Sequence, residues 1–167
     1  VESSFKVPLY KNEGFRFKAN QGGGALYDSG FYPISLIYTL FQSKKVKIIN
    51  SHITNADGID ISGGVHCYNN QGINFNLSWG FRSNYQNYIN ILCEHASISI
   101  NLFFSKRIMH DAKIIINDKK KRKIISIKKS NQINLAFNKY MSATSALYKS
   151  KIQESLKILR FIKKLKN

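Results

Sequence analysis

From residue 46 to residue 127 the chain falls into short runs rich in apolar and β-branched side chains, and polar clusters separate one run from the next. Residues 46–53, 59–68, 73–81, 85–93, 96–103, 112–117 and 122–127 therefore read as strands. The breaks Asn55-Ala56-Asp57-Gly58, Asn69-Asn70-Gln71-Gly72 and Asn117-Asp118-Lys119-Lys120 have the length and composition of hairpin turns, which predicts an antiparallel meander. In Ile73-Asn74-Phe75-Asn76-Leu77-Ser78-Trp79 the alternation is strict, so one face of that strand is buried and the other polar.

Outside this block the period changes. Leu26, Ile34, Ile37, Leu40 and Phe41 follow mostly helical spacing behind Gly22-Gly23-Gly24, a glycine turn feeding a helix. Pro33 falls inside it and predicts a kink or a later start, because proline lacks one backbone donor and suits a first turn. Residues 1–21, with Pro8, Gly14 and scattered charges, have no periodicity and read as an irregular lead-in. The tail turns helical, weakly over 135–147 and clearly along the stripe Ile152, Leu156, Leu159, Ile162 and Leu165. Ser150 and Gln153 form a capping-box pattern at its start, and Lys163, Lys164 and Lys166 suit the negative end of the helix dipole. The expected fold is α+β, a mostly antiparallel sheet of about six strands with the Leu26 and Ile152 helices packed on one face.

Length and composition narrow the reading. A chain of 167 residues that is 43% apolar suffices for one cored domain and is too short for a cofactor domain plus a substrate domain. The apolar stretch 31–41 is interrupted by Pro33, Ser35 and Thr39 and falls short of the ~20 residues of a membrane span. Residues 1–14 lack the apolar core of a signal peptide, and the absence of an initiating Met suggests a cut or incomplete chain. Cys67 and Cys93 sit in separate strand-like runs without CxxC spacing, the expectation being two buried free thiols in a cytoplasmic protein. His52, His66, His95 and His110 have no metal-ligand spacing and read as surface or rim residues, with no metal expected.

A net charge of +17 raises the question of a polyanionic partner. Of the 26 basic residues 21 are Lys, accompanied by much Asn and Ile, as an AT-rich coding sequence produces; Arg stands only at Arg16, Arg82, Arg107, Arg122 and Arg160. Arg is the residue that forks onto phosphates and guanine edges, so the balance weighs against nucleic acid. The run Lys119-Lys120-Lys121-Arg122-Lys123 falls on a hairpin turn and reads as solvated charge.

The segment Gly22-Gly23-Gly24-Ala25-Leu26-Tyr27-Asp28-Ser29-Gly30-Phe31-Tyr32-Pro33-Ile34 is similar to the GGGALxDxGxYxI signature of the Gfo/Idh/MocA (glucose-fructose oxidoreductase / inositol dehydrogenase) family. Trp79-Gly80-Phe81-Arg82-Ser83-Asn84-Tyr85 resembles an aromatic strand of that family, and Glu154 to Phe161 its closing helix. The resemblance implies a C-terminal, substrate-binding part of an NAD(P)-dependent oxidoreductase acting on a sugar or nucleotide-linked sugar. It implies Asp28 and Tyr32 as the catalytic pair beside the reacting carbon, Tyr32 exchanging a proton with the sugar oxygen and Asp28 orienting the sugar. A spacing of four puts the two on one helical face. Arg16, Lys18 and Arg82 are candidates for substrate phosphates, and Trp79, Phe81, Tyr85 and Tyr88 for a sugar-stacking wall.

The family's GxGxxG fingerprint and EKP lysine have no counterpart here, so NAD or NADP is expected only in a complete enzyme, on a dinucleotide-binding (Rossmann) half supplied in cis or trans. The strand that opens the family's sheet also has no obvious counterpart before the glycine turn. Cys93-Glu94-His95-Ala96 stands where the family commonly shows a glycine-rich turn. The open sheet face is compatible with a homo-oligomer. Two rival classes remain, a non-enzymatic binding or dimerisation module and a basic nucleic-acid binder.

Overall fold

A computed structural model describes residues 1–8, 14–106, 108 and 110–166; residues 9–13 of the lead-in and Arg107 lie outside the described residues. The strands are β1 (Glu2–Lys6), β2 (Val46–Ala56), β3 (Ile59–Asn69), β4 (Asn74–Gly80), β5 (Gln86–Leu92), β6 (Ala96–Asn101), β7 (Ala112–Asp118) and β8 (Arg122–Ile127). They form one eight-stranded sheet in the order β2-β3-β4-β1-β5-β6-β7-β8, α+β in class and antiparallel throughout except where β1 runs parallel to β4.

The seven strands from β2 onward lie where the apolar runs and turn signals placed them. The correction is β1, which occupies the middle of the sheet and joins two meanders. Its sequence Glu2-Ser3-Ser4-Phe5-Lys6 hides it, because the inward positions on both faces are largely serine. Ser3 and Ser4 are buried, and they tolerate this by hydrogen bonding: Ser3 Oγ donates to the Tyr88 carbonyl at 2.7 Å and Ser4 Oγ to Gln86 Oε1 at 2.8 Å.

Helices α1 (Phe31–Thr39), α2 (Gln132–Met141) and α3 (Ser145–Lys166) complete the chain. One turn of π-helix, Leu26–Gly30, runs directly into α1, whose first turn contains Pro33. α1 and the last turns of α3 cover β1, β3 and β4, and their shared core holds Leu26, Ile34, Ile37, Phe75, Leu77, Trp79, Phe161 and Ile162. The stripe read from Ile152 shifts in the structure. Ile158, Phe161, Ile162 and Leu165 are the buried positions of α3, while Ile152, Leu156 and Leu159 are exposed. α3 also starts earlier than the Ser150 box, with Leu147 N–H donating to Thr144 Oγ1 at 3.4 Å.

Strand pairing sorts the two faces. On the helix side Leu77, Ser3, Ile89, Ile100, Ile114 and Ile125 align across β4, β1 and β5–β8. On the other side Asn76, Glu2, Asn90 and Ser99 align in a polar row. Cys67 is buried as expected; Cys93 is exposed, since β5 ends at Leu92 and leaves it in the following turn. All four histidines are exposed, and no three His, Cys, Asp or Glu among the described residues could hold a metal. No helix among the described residues is long and apolar enough to cross a membrane.

Candidate functional site

The glycine segment is held from both ends. Phe15–Phe17 and Ala19–Gln21 form two short 3-10 turns, after which Gly23 N–H donates to the Lys18 carbonyl at 3.0 Å and Gly24 N–H to the Arg16 carbonyl at 2.9 Å. Gly24 adopts φ +125°, and a Cβ there would lie 2.2 Å from Asp60 Oδ1. Only glycine fits that place. Asp60, on β3 and 5% exposed, accepts the Leu26 N–H at 2.5 Å and so satisfies a donor at the start of the helical segment. Lys166, from the end of α3, stands 3.6 Å from the other Asp60 oxygen and 4.4 Å above the Tyr27 ring. The helix bearing Asp28 and Tyr32 is thus fixed to the sheet and to the C-terminal helix through one buried carboxylate.

The same geometry tests the glycines as a phosphate cradle. Over Gly23 the space is taken by the Arg16 and Phe15 carbonyls, each 2.7 Å from the point a Cβ would occupy, and over Gly24 by a carboxylate. Neither leaves a bare backbone facing an anion, which a dinucleotide site needs. These residues do not fit a nicotinamide dinucleotide.

Asp28, in the π turn, receives Arg16 Nε at 2.8 Å, and the Arg16 guanidinium lies 4.9 Å over the Phe15 ring. Tyr32, in the first turn of α1, is 40% exposed. Its ring meets Phe5 edge-on at 4.8 Å and Phe104 at 5.8 Å. Tyr85 joins the same wall through Phe5 at 6.4 Å. The hydroxyl of Tyr85 accepts Asn87 Nδ2 at 2.9 Å, and Asn87 Oδ1 accepts the Phe104 N–H at 2.9 Å. One buried amide therefore sets both outer members of the wall.

The remaining candidates are dispersed. Trp79 is fully buried under the Leu26–Gly30 turn and opposite Gly63, where a Cβ would come within 2.6 Å of its ring; it is a core residue. Phe81 is buried beside Phe17, and Tyr88 donates to Glu2 Oε1 on the open face. Arg82 pairs with Asp57 at 2.6 Å and lies 5.9 Å from the Phe17 ring. Lys18 is exposed. Sequence reasoning missed Phe5, Asp60, Asn87 and Phe104. Only Asp60 carried a signal, an acid between Ile59 and Ile61 in an apolar strand.

Known proteins share this fold. Over 83 residues the chain is 31% identical to a dTDP-3,4-didehydro-2,6-dideoxy-alpha-D-glucose 3-reductase of Saccharopolyspora spinosa, a match covering 49% of this chain and 25% of that protein. The crystal structure of KijD10, a 3-ketoreductase from Actinomadura kijaniata in complex with NADP and TDP-benzene, superposes with a TM-score of 0.76 at 20% identity, covering 83% of this chain and 43% of that one. An aldose-aldose oxidoreductase from Caulobacter crescentus superposes with a TM-score of 0.64 at 13% identity, covering 78% of this chain and 39% of that one. The structural matches establish the fold, and the chain spans less than half the length of these relatives. The family model of the GFO/IDH/MocA C-terminal domain matches residues 1–99, and the chain belongs to that family through this domain.

Proposed function

We propose that this chain is the substrate-side domain of an NAD(P)-dependent oxidoreductase acting on a nucleotide-linked sugar, with Tyr32 and Asp28 at the sugar. The observation that carries the reading is the position of Tyr32. Of the DxGxY residues it alone combines an exposed ring with aromatic support: Phe5, buried beneath, and Phe104 hold the Tyr32 ring, and the exposed Tyr85 ring packs on the same Phe5, so that the two tyrosines offer apolar surface to a sugar face. The Tyr32 hydroxyl exchanges a proton with the sugar oxygen, and the Arg16–Asp28 pair presents a fixed carboxylate one turn earlier. The 3-reductase and 3-ketoreductase names of the relatives support a keto or hydroxyl carbon of a nucleotide-linked sugar as the reacting centre. KijD10 binds NADP, and in a complete enzyme such a cofactor would supply the hydride chemistry; the glycine turn here does not fit it, so the residues that would hold its pyrophosphate would lie on a dinucleotide-binding half.

The test is complementation. With a compatible dinucleotide-binding half, the chain supports hydride transfer read by NAD(P)H absorbance, and Tyr32→Phe slows it on the order of 100-fold, the lower range of acid–base contributions. Tyr32→Phe activity within a few-fold of the parent, with the fold intact, would remove the assignment. Association of two copies through the open sheet face belongs to the same reading. The Asn76–Glu2–Asn90–Ser99 row makes that contact a wet one. Sedimentation should show a dimer that Asn90→Arg disrupts; a monomer at ~100 μM, a concentration at which a stable interface is filled, refutes it.

A further inference from the structure

At the far end of α1 from Tyr32, a groove of about 410 Å³ opens between the α1–β2 connection and α3. Lys44 and Lys45 stand on one side, Lys157, Arg160 and Lys164 on the other, and Tyr38 between them. The α3 cations follow i, i+3, i+7 spacing, so they share one helical face. The opposite bank is held in place. Ser43 N–H donates to the Ile37 carbonyl at 3.0 Å, Asn69 Nδ2 to Ser43 Oγ at 2.8 Å, and Lys45 N–H to Asn70 Oδ1 at 3.2 Å. Among the described residues none of the five cations has a carboxylate at ion-pairing distance: Asp28, Asp60 and Glu154 are taken by Arg16, Lys166 and Lys151.

Five uncompensated positive charges around one concavity repel each other, and an anion carrying several charges removes that repulsion. Burial pushes the Tyr38 phenol up to about 12, Cys67 adding to it, so its hydroxyl stays protonated and can donate. The floor is partly apolar, with Tyr38 and Phe161 rings 6.2 Å apart. The volume suits a small molecule rather than a duplex.

We propose that this groove binds a small, phosphate-dense anion, at a site separate from the Tyr32 wall and independent of the sugar reading. An inorganic oligophosphate and the diphosphate of a nucleotide share the required chemistry. The full chain is titrated calorimetrically with tripolyphosphate, pyrophosphate and ADP at 0.15 M salt, where diffuse surface attraction is screened beyond ~8 Å. Expected is saturable 1:1 binding, weakened on the order of 10-fold or more in Lys157→Gln/Arg160→Gln/Lys164→Gln, and nearly unchanged in Lys119→Gln/Lys120→Gln/Lys121→Gln, which removes equal charge from the β7–β8 turn. ADP tighter than pyrophosphate assigns a nucleotide; equal affinity assigns free phosphates. The five substituted cations are exposed, so circular dichroism should show an unaltered fold. If the triple variant does not fold, Lys44→Gln/Lys45→Gln carries the same expectation from the other bank. Equal losses in the turn variant, no saturable binding, or displacement of tripolyphosphate by single-stranded DNA at equal phosphate concentration overturns the proposal.

Discussion

Cys67 and Cys93 have the same side chain and opposite environments. Cys67 is enclosed between β2 and β4 on the helix side, and burial pushes its thiol up to about 12; Cys93 is exposed in the turn after β5. The folded-state value exceeds the unfolded one, so the folded chain holds the proton more tightly. Stability from this group is full below the unfolded value of 9.0 and is lost as pH rises toward about 12. The slope is at most about 1.4 kcal/mol per pH unit for one group. Thermal unfolding followed from pH 8 to 11 should show a falling midpoint, shallower in Cys67→Ala; an unchanged slope in that variant refutes the assignment. At pH 8 a thiol reagent should modify Cys93 alone until the chain is unfolded.

At the scale of elements, the segment from the glycine turn through α1 depends on β3. The run of apolar residues makes a helix, but where it starts is decided by Asp60, 34 positions later, which accepts the Leu26 N–H. Asp60→Ala leaves that buried donor unsatisfied and should cost ~1–3 kcal/mol in denaturant unfolding. Lys166→Met removes only a partly exposed partner and should cost less than about 1 kcal/mol. Equal losses in the two variants would mean that the ion pair, rather than the cap on Leu26, secures the helix. Distant contacts also select the buried stripe of α3. Ile152 and Ile158 are equally apolar, and the choice between them follows from where α3 meets α1 and the sheet.

At the scale of the molecule, the isolated chain should bind neither NAD(H) nor NADP(H) at micromolar concentration, because its glycine turn is filled by its own carbonyls and by Asp60. Calorimetry decides this, and micromolar affinity would show that the pyrophosphate finds another cradle. The helix side of the sheet continues past α1 and α3 as an isoleucine ladder, Ile100–Ile114–Ile125, whose members remain partly or largely open to solvent. The apolar surplus of the strands therefore lies on the side the helices only partly cover, while the face free of helices is rich in asparagine and serine.

Short apolar, β-branched runs set between turn signals located the seven strands from β2 onward, because strand-forming residues and hairpin breaks are both local in sequence. Helical spacing marked the tail, and the resemblance to the family signature singled out the glycine segment and the DxGxY pair. What these signals left undetermined was whatever depends on contacts distant in sequence. β1 was invisible because its buried serines are satisfied by β4 and β5 partners more than 70 positions away. Trp79 read as a wall residue because an aromatic on a strand carries no mark of the face it will turn to, and the tertiary structure turned it inward beneath the Leu26–Gly30 turn. Phe5, Phe104 and Tyr85 surround Tyr32 for the same reason. Three segments without a common motif are brought together by the central place of β1, and only the folded sheet makes them one surface.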